Sequence, residues 1–106
     1  MSERFIYRLQ LTRAELLSEG PTDAEAEILQ HHGRYLAEQA DAGRVLLAGR
    51  TQIDSPDAYG IVILQAEDES AARELMLADP AVAGEVMQAE LHPYRIAVLA
   101  SNITTD

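Results

Sequence analysis

The strongest constraint on the fold is the order in which strand-type and helix-type periodicities follow one another along the chain. Arg4 to Leu11 alternates apolar and polar residues with period two, which predicts a strand. An amphipathic helix follows, with Thr22 as its N-cap and Gly43 as its stop. The remaining segments are predicted as two strands, a helix and a split final strand: Arg44–Thr51, Tyr59–Gln65, Asp68 or Ser70 to Asp79, and Val86–Leu91 continued by Tyr94–Leu99.

Shorter sequence features indicate additional turns and breaks between these elements. The polar connection before the first helix has room for a helical turn at Ala14–Leu17. Pro80 ends the second helix and can begin a new turn at Ala81–Glu85, because proline is favoured at the first position of a helix. His92-Pro93 interrupts the last strand, so we expect a bulge or an edge position there.

The order of elements is therefore βαββαβ. Right-handed crossovers applied to it give a four-stranded antiparallel sheet with two helices on one face, the ferredoxin-like α+β arrangement. A chain of 106 residues has room for one ordinary domain. We assign that domain to residues 1–100 and a polar C-terminal tail to residues 101–106.

The predicted third strand carries the apolar run Ile61–Leu64, so side chains on both of its faces are apolar. Such a pattern is typical of a central strand covered on both sides. Two helices cover one face of the sheet only. We therefore expect a second copy of the chain to cover the open face, which makes the protein a homodimer.

The charge balance restricts the partners. The chain has 18 acidic and 8 basic residues and a net charge of −10, so nucleic acid and anionic membrane surfaces are expected to repel it. It has no cysteine, which excludes disulfides and thiolate chemistry. The first residues show no signal-peptide pattern, and the apolar runs are far too short to span a membrane, so we expect a cytoplasmic protein.

His32 is the first candidate for chemistry. Helical periodicity places it between Ile28 and Leu36 on the face that packs on the sheet, whereas His31 falls on the solvent side. A buried imidazole needs a hydrogen-bond partner, and a carboxylate partner would fix its tautomer for work as a general base. The alternative is a core histidine bonded to a backbone carbonyl, and the residues alone favour this alternative.

Asp79 is the candidate for the carboxylate that accepts a hydrogen bond from His32. It stands at a helix break, directly before Pro80, where an aspartate is also a good N-cap for the next turn. The two roles are compatible, because one carboxylate oxygen can accept a backbone N–H while the other accepts from a histidine. Since Asp79 and His32 lie on different predicted helices, spacing alone does not bring them together.

Other residues suggest weaker interpretations. The chain has no metal-ligand spacing such as HxxxH or HExxH and no nucleotide-binding glycine motif, so we expect no metal and no cofactor. Tyr7 could line a substrate pocket, but such tyrosines are more often core residues with a wet hydroxyl. Arg50 could hold an anionic substrate, and a solvated surface arginine is the alternative. His92 is more simply an ordinary surface residue.

Four short motifs together resemble the YCII-related, or YciI-like, family. They are His32–Leu36, Gly43–Gly49, Ala78–Gly84 with its Asp-Pro pair, and Leu91–Tyr94. The resemblance covers roughly residues 5–99. It implies a ferredoxin-like fold that dimerises through its sheets, related to the dimeric α/β barrels. It also implies a pocket with a paired histidine and aspartate, which correspond here to His32 and Asp79.

These observations support one leading function and two alternatives. The leading interpretation is a small enzyme without a cofactor, lyase-like or isomerase-like, acting on a small polar or aromatic molecule. His32 would be its general acid or base, and Asp79 would orient the ring and stabilise its cationic form. The first alternative is a non-catalytic metabolite-binding or regulatory dimer that uses the same pocket. The second is a structural dimerisation module, which would have no open pocket beside His32.

Overall fold

The computed structural model describes residues 3–101, which form four strands and four helices. The elements are β1 (Glu3–Leu11), α1 (Glu15–Glu19), α2 (Asp23–Asp41), β2 (Val45–Arg50), β3 (Gly60–Ala66), α3 (Glu69–Ala78), α4 (Pro80–Ala83) and β4 (Met87–Pro93). None of the helices in this part of the chain is long and apolar enough to cross a membrane.

The four strands form a single sheet in the order β2-β3-β1-β4, and each neighbouring pair is antiparallel. This is the strand order of the ferredoxin-like fold, so the predicted α+β class is confirmed. On the central strand β1, Tyr7 lies opposite Val62 of β3 and Leu91 of β4. The register places alternate residues of β1 against the helices, as period two predicts.

The core lies between the sheet and the helices. Its buried apolar residues come from all the strands except β4 and from the α3–α4 region: Phe5, Tyr7, Leu9, Val45, Val62, Leu64, Ala72, Met76, Ala81 and Val86. Asp79 is the polar residue buried with them, at 0 % exposure. A carboxylate in this position requires compensating hydrogen bonds, since burial of an unpaired charge is very costly.

Local sequence signals account for the helix boundaries. Thr22 caps α2 and forms the predicted capping box with Glu25: the Thr22 hydroxyl accepts the Glu25 amide at 3.1 Å, and the Glu25 carboxylate accepts the Thr22 amide at 2.8 Å. Gly43 follows the helix with a φ of +80°, a conformation that favours glycine. Asp68, rather than Ser70, caps α3.

The C-terminal segment confirms the predicted edge position of His92-Pro93, because β4 lies at one end of the sheet, but the extent of the strand differs from the prediction. β4 continues through His92 and Pro93 instead of being interrupted there, and no strand follows in the described residues up to 101. The reason is the partner strand: Pro93 pairs with Phe5, and Tyr94 still donates its amide to Arg4, which leaves β1 almost no residues for further pairing. Residues 102–106 of the predicted tail lie outside the described part of the chain.

The second face of the sheet carries no helix within residues 3–101. Ile63 pairs with Ile6 on one side and with Leu47 on the other, so these three side chains form an apolar row on this face. Leu47 is 43 % exposed, and Ile6 and Ile63 are partly buried. The apolar character of β3 on both faces is therefore real, but in a single chain only the helix-side face is covered.

Candidate active site at the α2–α4 junction

Asp79 occupies the break between α3 and α4. Pro80 disfavours helical geometry at the residue before it, and Asp79 accordingly has an extended backbone with a ψ of 122°. The same residue ends α3 and caps α4, where its Oδ1 accepts the backbone N–H of Ala81 at 3.0 Å. The predicted N-cap role is thus present, and it points the carboxylate into the core.

The buried carboxylate accepts two further hydrogen bonds from side chains. The Tyr7 hydroxyl donates to Oδ2 at 2.8 Å, and His32 Nδ1 lies 2.6 Å from Oδ1. These contacts bring together residues from β1, α2 and the α3–α4 junction. Three donors around one carboxylate compensate for its removal from water.

His32 lies on the sheet-facing side of α2, as helical periodicity predicts, and its side chain is 15 % exposed. An ionised carboxylate can only accept hydrogen bonds, so the 2.6 Å contact assigns the proton to His32 Nδ1. In the neutral ring Nε2 is then the unprotonated nitrogen. His31, by contrast, is exposed.

Tyr7 lies in the core, which was the alternative to its predicted position in the lining of a substrate pocket. It is 1 % exposed and contacts Asp79 from the core side, and it is not among the residues that line the cavity described below. Burial, followed by the nearby Asp79 charge, raises the pKa of Tyr7 above its usual range. Its hydroxyl therefore remains a hydrogen-bond donor at physiological pH.

A cavity of about 440 Å³ opens beside His32. Most of its lining is apolar, including six leucines from β1, α1 and α2: Leu9, Leu11, Leu16, Leu17, Leu29 and Leu36. His32, Arg50, Thr51 and Tyr59 are the polar members of the lining among the residues described. Because Nδ1 of His32 is hydrogen-bonded to Asp79, Nε2 is the ring nitrogen that can contact a molecule in this cavity.

Arg50 lies at the end of β2 and lines the same cavity as His32. Its predicted position at the substrate is therefore compatible with the structure, and its role as an anion ligand stays a prediction. Tyr59, also in the lining, is stacked by the Arg8 guanidinium at 4.4 Å from the ring centroid. This contact restrains one wall of the cavity from the open face of the sheet.

The remaining polar candidates lie elsewhere. His92 is exposed on the opposite face of the sheet, where Nε2 approaches Glu90 at 3.5 Å. Within residues 3–101, no group of three or more His, Cys, Asp or Glu side chains is arranged to hold a metal ion. Sequence reasoning missed the contact between Tyr7 and Asp79. The available signal was the position of Tyr7 on the helix-facing side of β1, because a buried tyrosine hydroxyl usually finds a partner.

Solved structures with this architecture define the class of fold. The 5-chloro-2-hydroxyhydroquinone dehydrochlorinase from Burkholderia phenoliruptrix AC1100 matches with a TM-score of 0.61 and 13 % identity, over 86 % of this chain and 93 % of that chain. An uncharacterized protein from Thermotoga maritima matches with 0.57 and 10 %, over 90 % and 100 %. A mutant of SnoaB, a cofactor-independent oxygenase from Streptomyces nogalater, matches with 0.52 and 16 %, over 95 % and 98 %. At these identities the matches show the fold alone, an α+β ferredoxin-like arrangement of one antiparallel sheet and its helices.

The family follows from the sequence. The model of the YCII-related domain matches residues 8–95, a range that includes His32, Asp79 and Arg50. The chain therefore belongs to the YCII-related family, and the resemblance drawn from its motifs is confirmed. No curated protein matches the chain.

Proposed function

We propose that this protein is an enzyme that moves protons on a small, largely apolar molecule, with His32 as the general acid or base. The observation that carries the proposal is the 2.6 Å contact between His32 Nδ1 and a fully buried carboxylate, on an imidazole that also lines the cavity. A histidine held in one tautomer by a carboxylate is the arrangement that general-base catalysis uses.

The chemistry follows from the positions of the protons. Nε2 of His32 accepts a proton from a C–H or O–H group of the bound molecule, whose electron pair remains on the substrate as an enolate or phenolate. The ring becomes a cation, and Asp79, already in contact with Nδ1, stabilises that charge. Return of the proton to a different atom gives an isomer. Loss of a leaving group as an anion gives an elimination, and the proton on Nε2 is then released to water, which restores the base. Asp79 acts as a positioning residue, because it is 0 % exposed.

The lining of the cavity indicates the class of substrate. Leucine side chains favour an apolar or aromatic body, and Arg50 can bind a carboxylate or phenolate oxygen. Two proteins of the same fold have names that indicate chemistry on small molecules. The dehydrochlorinase was solved with 2,5-dihydroxybenzoquinone, and SnoaB is a cofactor-independent oxygenase. We therefore propose a small ring compound with at least one acidic oxygen as the substrate and no cofactor.

A metabolite-binding or regulatory protein is the second candidate. The apolar cavity with Arg50 in its lining would hold the same class of molecule without turnover, and His32 would then serve in recognition. A purely structural dimerisation module is less well supported, since it gives no reason for an open cavity beside His32.

A panel of hydroquinones, chlorinated hydroquinones, hydroxyquinones and aromatic acids tests these candidates. Turnover is followed by ultraviolet absorbance and chloride release, and binding by NMR shift changes. We expect at least one compound to be converted, and His32→Gln to lower kcat/KM by about 100-fold or more, the usual contribution of a general acid or base. His31→Gln is the matched control and should retain activity, because His31 is exposed one residue away.

The outcomes separate the two functions. Undiminished turnover by a folded His32→Gln variant would contradict the catalytic role of His32. Binding across the panel without conversion, weakened by Arg50→Gln, would favour the metabolite-binding candidate instead.

We further propose that the protein works as a homodimer in the cytoplasm, with the open sheet faces of two copies in contact. The support is the apolar row of Ile6, Ile63 and Leu47 on a face that no helix of residues 3–101 covers, together with the fold class. Sedimentation at micromolar concentration should give a dimer, and Ile63→Glu should give a monomer. A wild-type monomer under these conditions would contradict the proposal.

A further inference from the structure

Tyr7 contacts Asp79 from the buried side of the His32–Asp79 pair and has no role in the proposed reaction. The Tyr7 hydroxyl donates to Asp79 Oδ2 at 2.8 Å, and it is the side-chain donor to that oxygen in residues 3–101. Oδ1 accepts from His32 Nδ1 and from the Ala81 amide. All fully buried side-chain polar atoms in this part of the chain have partners.

We propose that Tyr7 is a positioning residue that keeps the Nδ1 proton on His32 by stabilising the negative charge of Asp79. This inference rests on the proposed function, since it describes how the general base is maintained. Tyr7 itself lies outside the cavity, so it does not touch the substrate.

His32 and Asp79 compete for one proton. Nδ1 of His32 and Oδ1 of Asp79 share a proton across 2.6 Å. A donor on Oδ2 draws negative charge away from Oδ1 and makes Oδ1 a weaker acceptor. Without that donor, a carboxylate at 0 % exposure has no water to replace it, and Oδ1 attracts the shared proton more strongly.

The consequence concerns the cationic stage of the reaction. When Nε2 has accepted the substrate proton, the ring carries two protons and Nδ1 is at its most acidic. In the wild type the Tyr7 hydroxyl holds Asp79 as a carboxylate, so the ion pair persists. In its absence the Nδ1 proton moves toward Oδ1, and the pair approaches a neutral acid beside a neutral imidazole. A hydrogen bond to a charged group corresponds to about a 10- to 100-fold change in this equilibrium.

The test is the Nδ1–H signal of His32 in ¹H–¹⁵N NMR spectra of the full chain. In Tyr7→Phe we expect this proton to move further downfield and the Nδ1 nitrogen to shift toward the position of an unprotonated nitrogen. Tyr35→Phe is the matched control. The Tyr35 hydroxyl also lies near Asp79, but it donates to the carbonyl of Leu75 at 2.7 Å and not to the carboxylate, so its removal should shift the Nδ1 signals of His32 much less than Tyr7→Phe does.

Kinetics supply an independent readout once a substrate is available. Tyr7→Phe should lower kcat by about 10-fold or more while KM stays near the wild-type value, because the cavity lining is intact. Unchanged Nδ1–H signals in folded Tyr7→Phe would overturn the inference even if His32→Gln is inactive. Conversely, an active His32→Gln variant would refute the proposed function while the NMR effect of Tyr7 could still be present.

A measurement on the unaltered protein covers the case in which Tyr7→Phe does not fold. The Tyr7 hydroxyl proton should exchange slowly with water and give its own downfield signal, since it is buried and bonded to Asp79. The exposed Tyr59 should give no such signal. Rapid exchange of the Tyr7 hydroxyl would contradict the contact on which the inference depends.

Discussion

Replacement of Asp79 by alanine is the sharpest test of the buried network as a structural element. The change removes the acceptor of three donors: the Tyr7 hydroxyl, His32 Nδ1 and the Ala81 amide. Asp68→Ala is the matched control, because Asp68 caps α3 through one bond, to the Ala71 amide at 2.8 Å, at an exposed position. Both variants lose an N-cap, and only Asp79→Ala also leaves the buried Tyr7 hydroxyl without a partner.

The two losses in the free energy of unfolding should therefore differ. An N-cap aspartate contributes about 1 kcal/mol, which is the whole loss expected for Asp68→Ala. Asp79→Ala adds the cost of a buried tyrosine hydroxyl without a partner, about 1–3 kcal/mol, while His32 can change its tautomer or contact water. We expect a total loss of about 3 kcal/mol for Asp79→Ala.

Urea unfolding followed by circular dichroism measures both losses. The protein concentration is held constant across variants, since association would stabilise the folded state. Asp79→Asn should fall between the two variants, because asparagine keeps the cap but cannot accept from both Tyr7 and His32 as a carboxylate does. Equal losses for Asp79→Ala and Asp68→Ala would refute the argument that the network stabilises the core.

Three further predictions concern the N-terminus of α2 and the C-terminus of α4. Thr22→Ala should cost about 1 kcal/mol of unfolding free energy in the same assay, because the capping box is lost, and Thr22→Ser should restore most of it. Hydrogen bonds from Arg13 lower the pKa of Glu25 from its ordinary 4.5 to about 2, so the contribution of Glu25 is complete above pH 4.5 and is lost as the pH falls toward 2. The urea midpoint of wild type should therefore approach that of Glu25→Gln over this interval, and a constant difference would contradict the ion pair. Gly84→Ala would place a Cβ 2.8 Å from Ile28 Cδ1 and should cost about 1–3 kcal/mol, part of which Ile28→Val should recover in the double variant by removing that atom.

The fold could be predicted from the sequence because its determinants are local. Period-two segments and two amphipathic helices establish the order βαββαβ, and chirality rules then reduce the possible sheets to a few, of which the ferredoxin-like one is observed. The prediction of a final strand over Tyr94–Leu99 was wrong because the length of a strand depends on its partner. These residues are strand-like in type, but β1 has almost no residues left to pair with them.

The site could be predicted only in part. The helical face of His32 and the cap position of Asp79 follow from neighbouring residues, but their contact spans 47 residues and depends on how α2 packs against α4. Family motifs, rather than spacing, indicated that pairing. The bond from Tyr7 spans 72 residues, and no local pattern specifies which buried group a tyrosine hydroxyl will meet.

The position of the proton on the His32 ring in the wild-type protein decides whether this histidine can serve as a base toward the cavity, and its measurement requires no knowledge of the substrate. Long-range ¹H–¹⁵N NMR distinguishes protonated from unprotonated ring nitrogens, and a His32→Gln sample identifies the signals. Under conditions where the imidazole is neutral, we expect a proton on Nδ1, bonded to Asp79, and an unprotonated Nε2 whose signal shifts when a cavity ligand binds. A protonated Nε2 with a bare Nδ1 would contradict this expectation, because His32 would then have no free base facing the cavity.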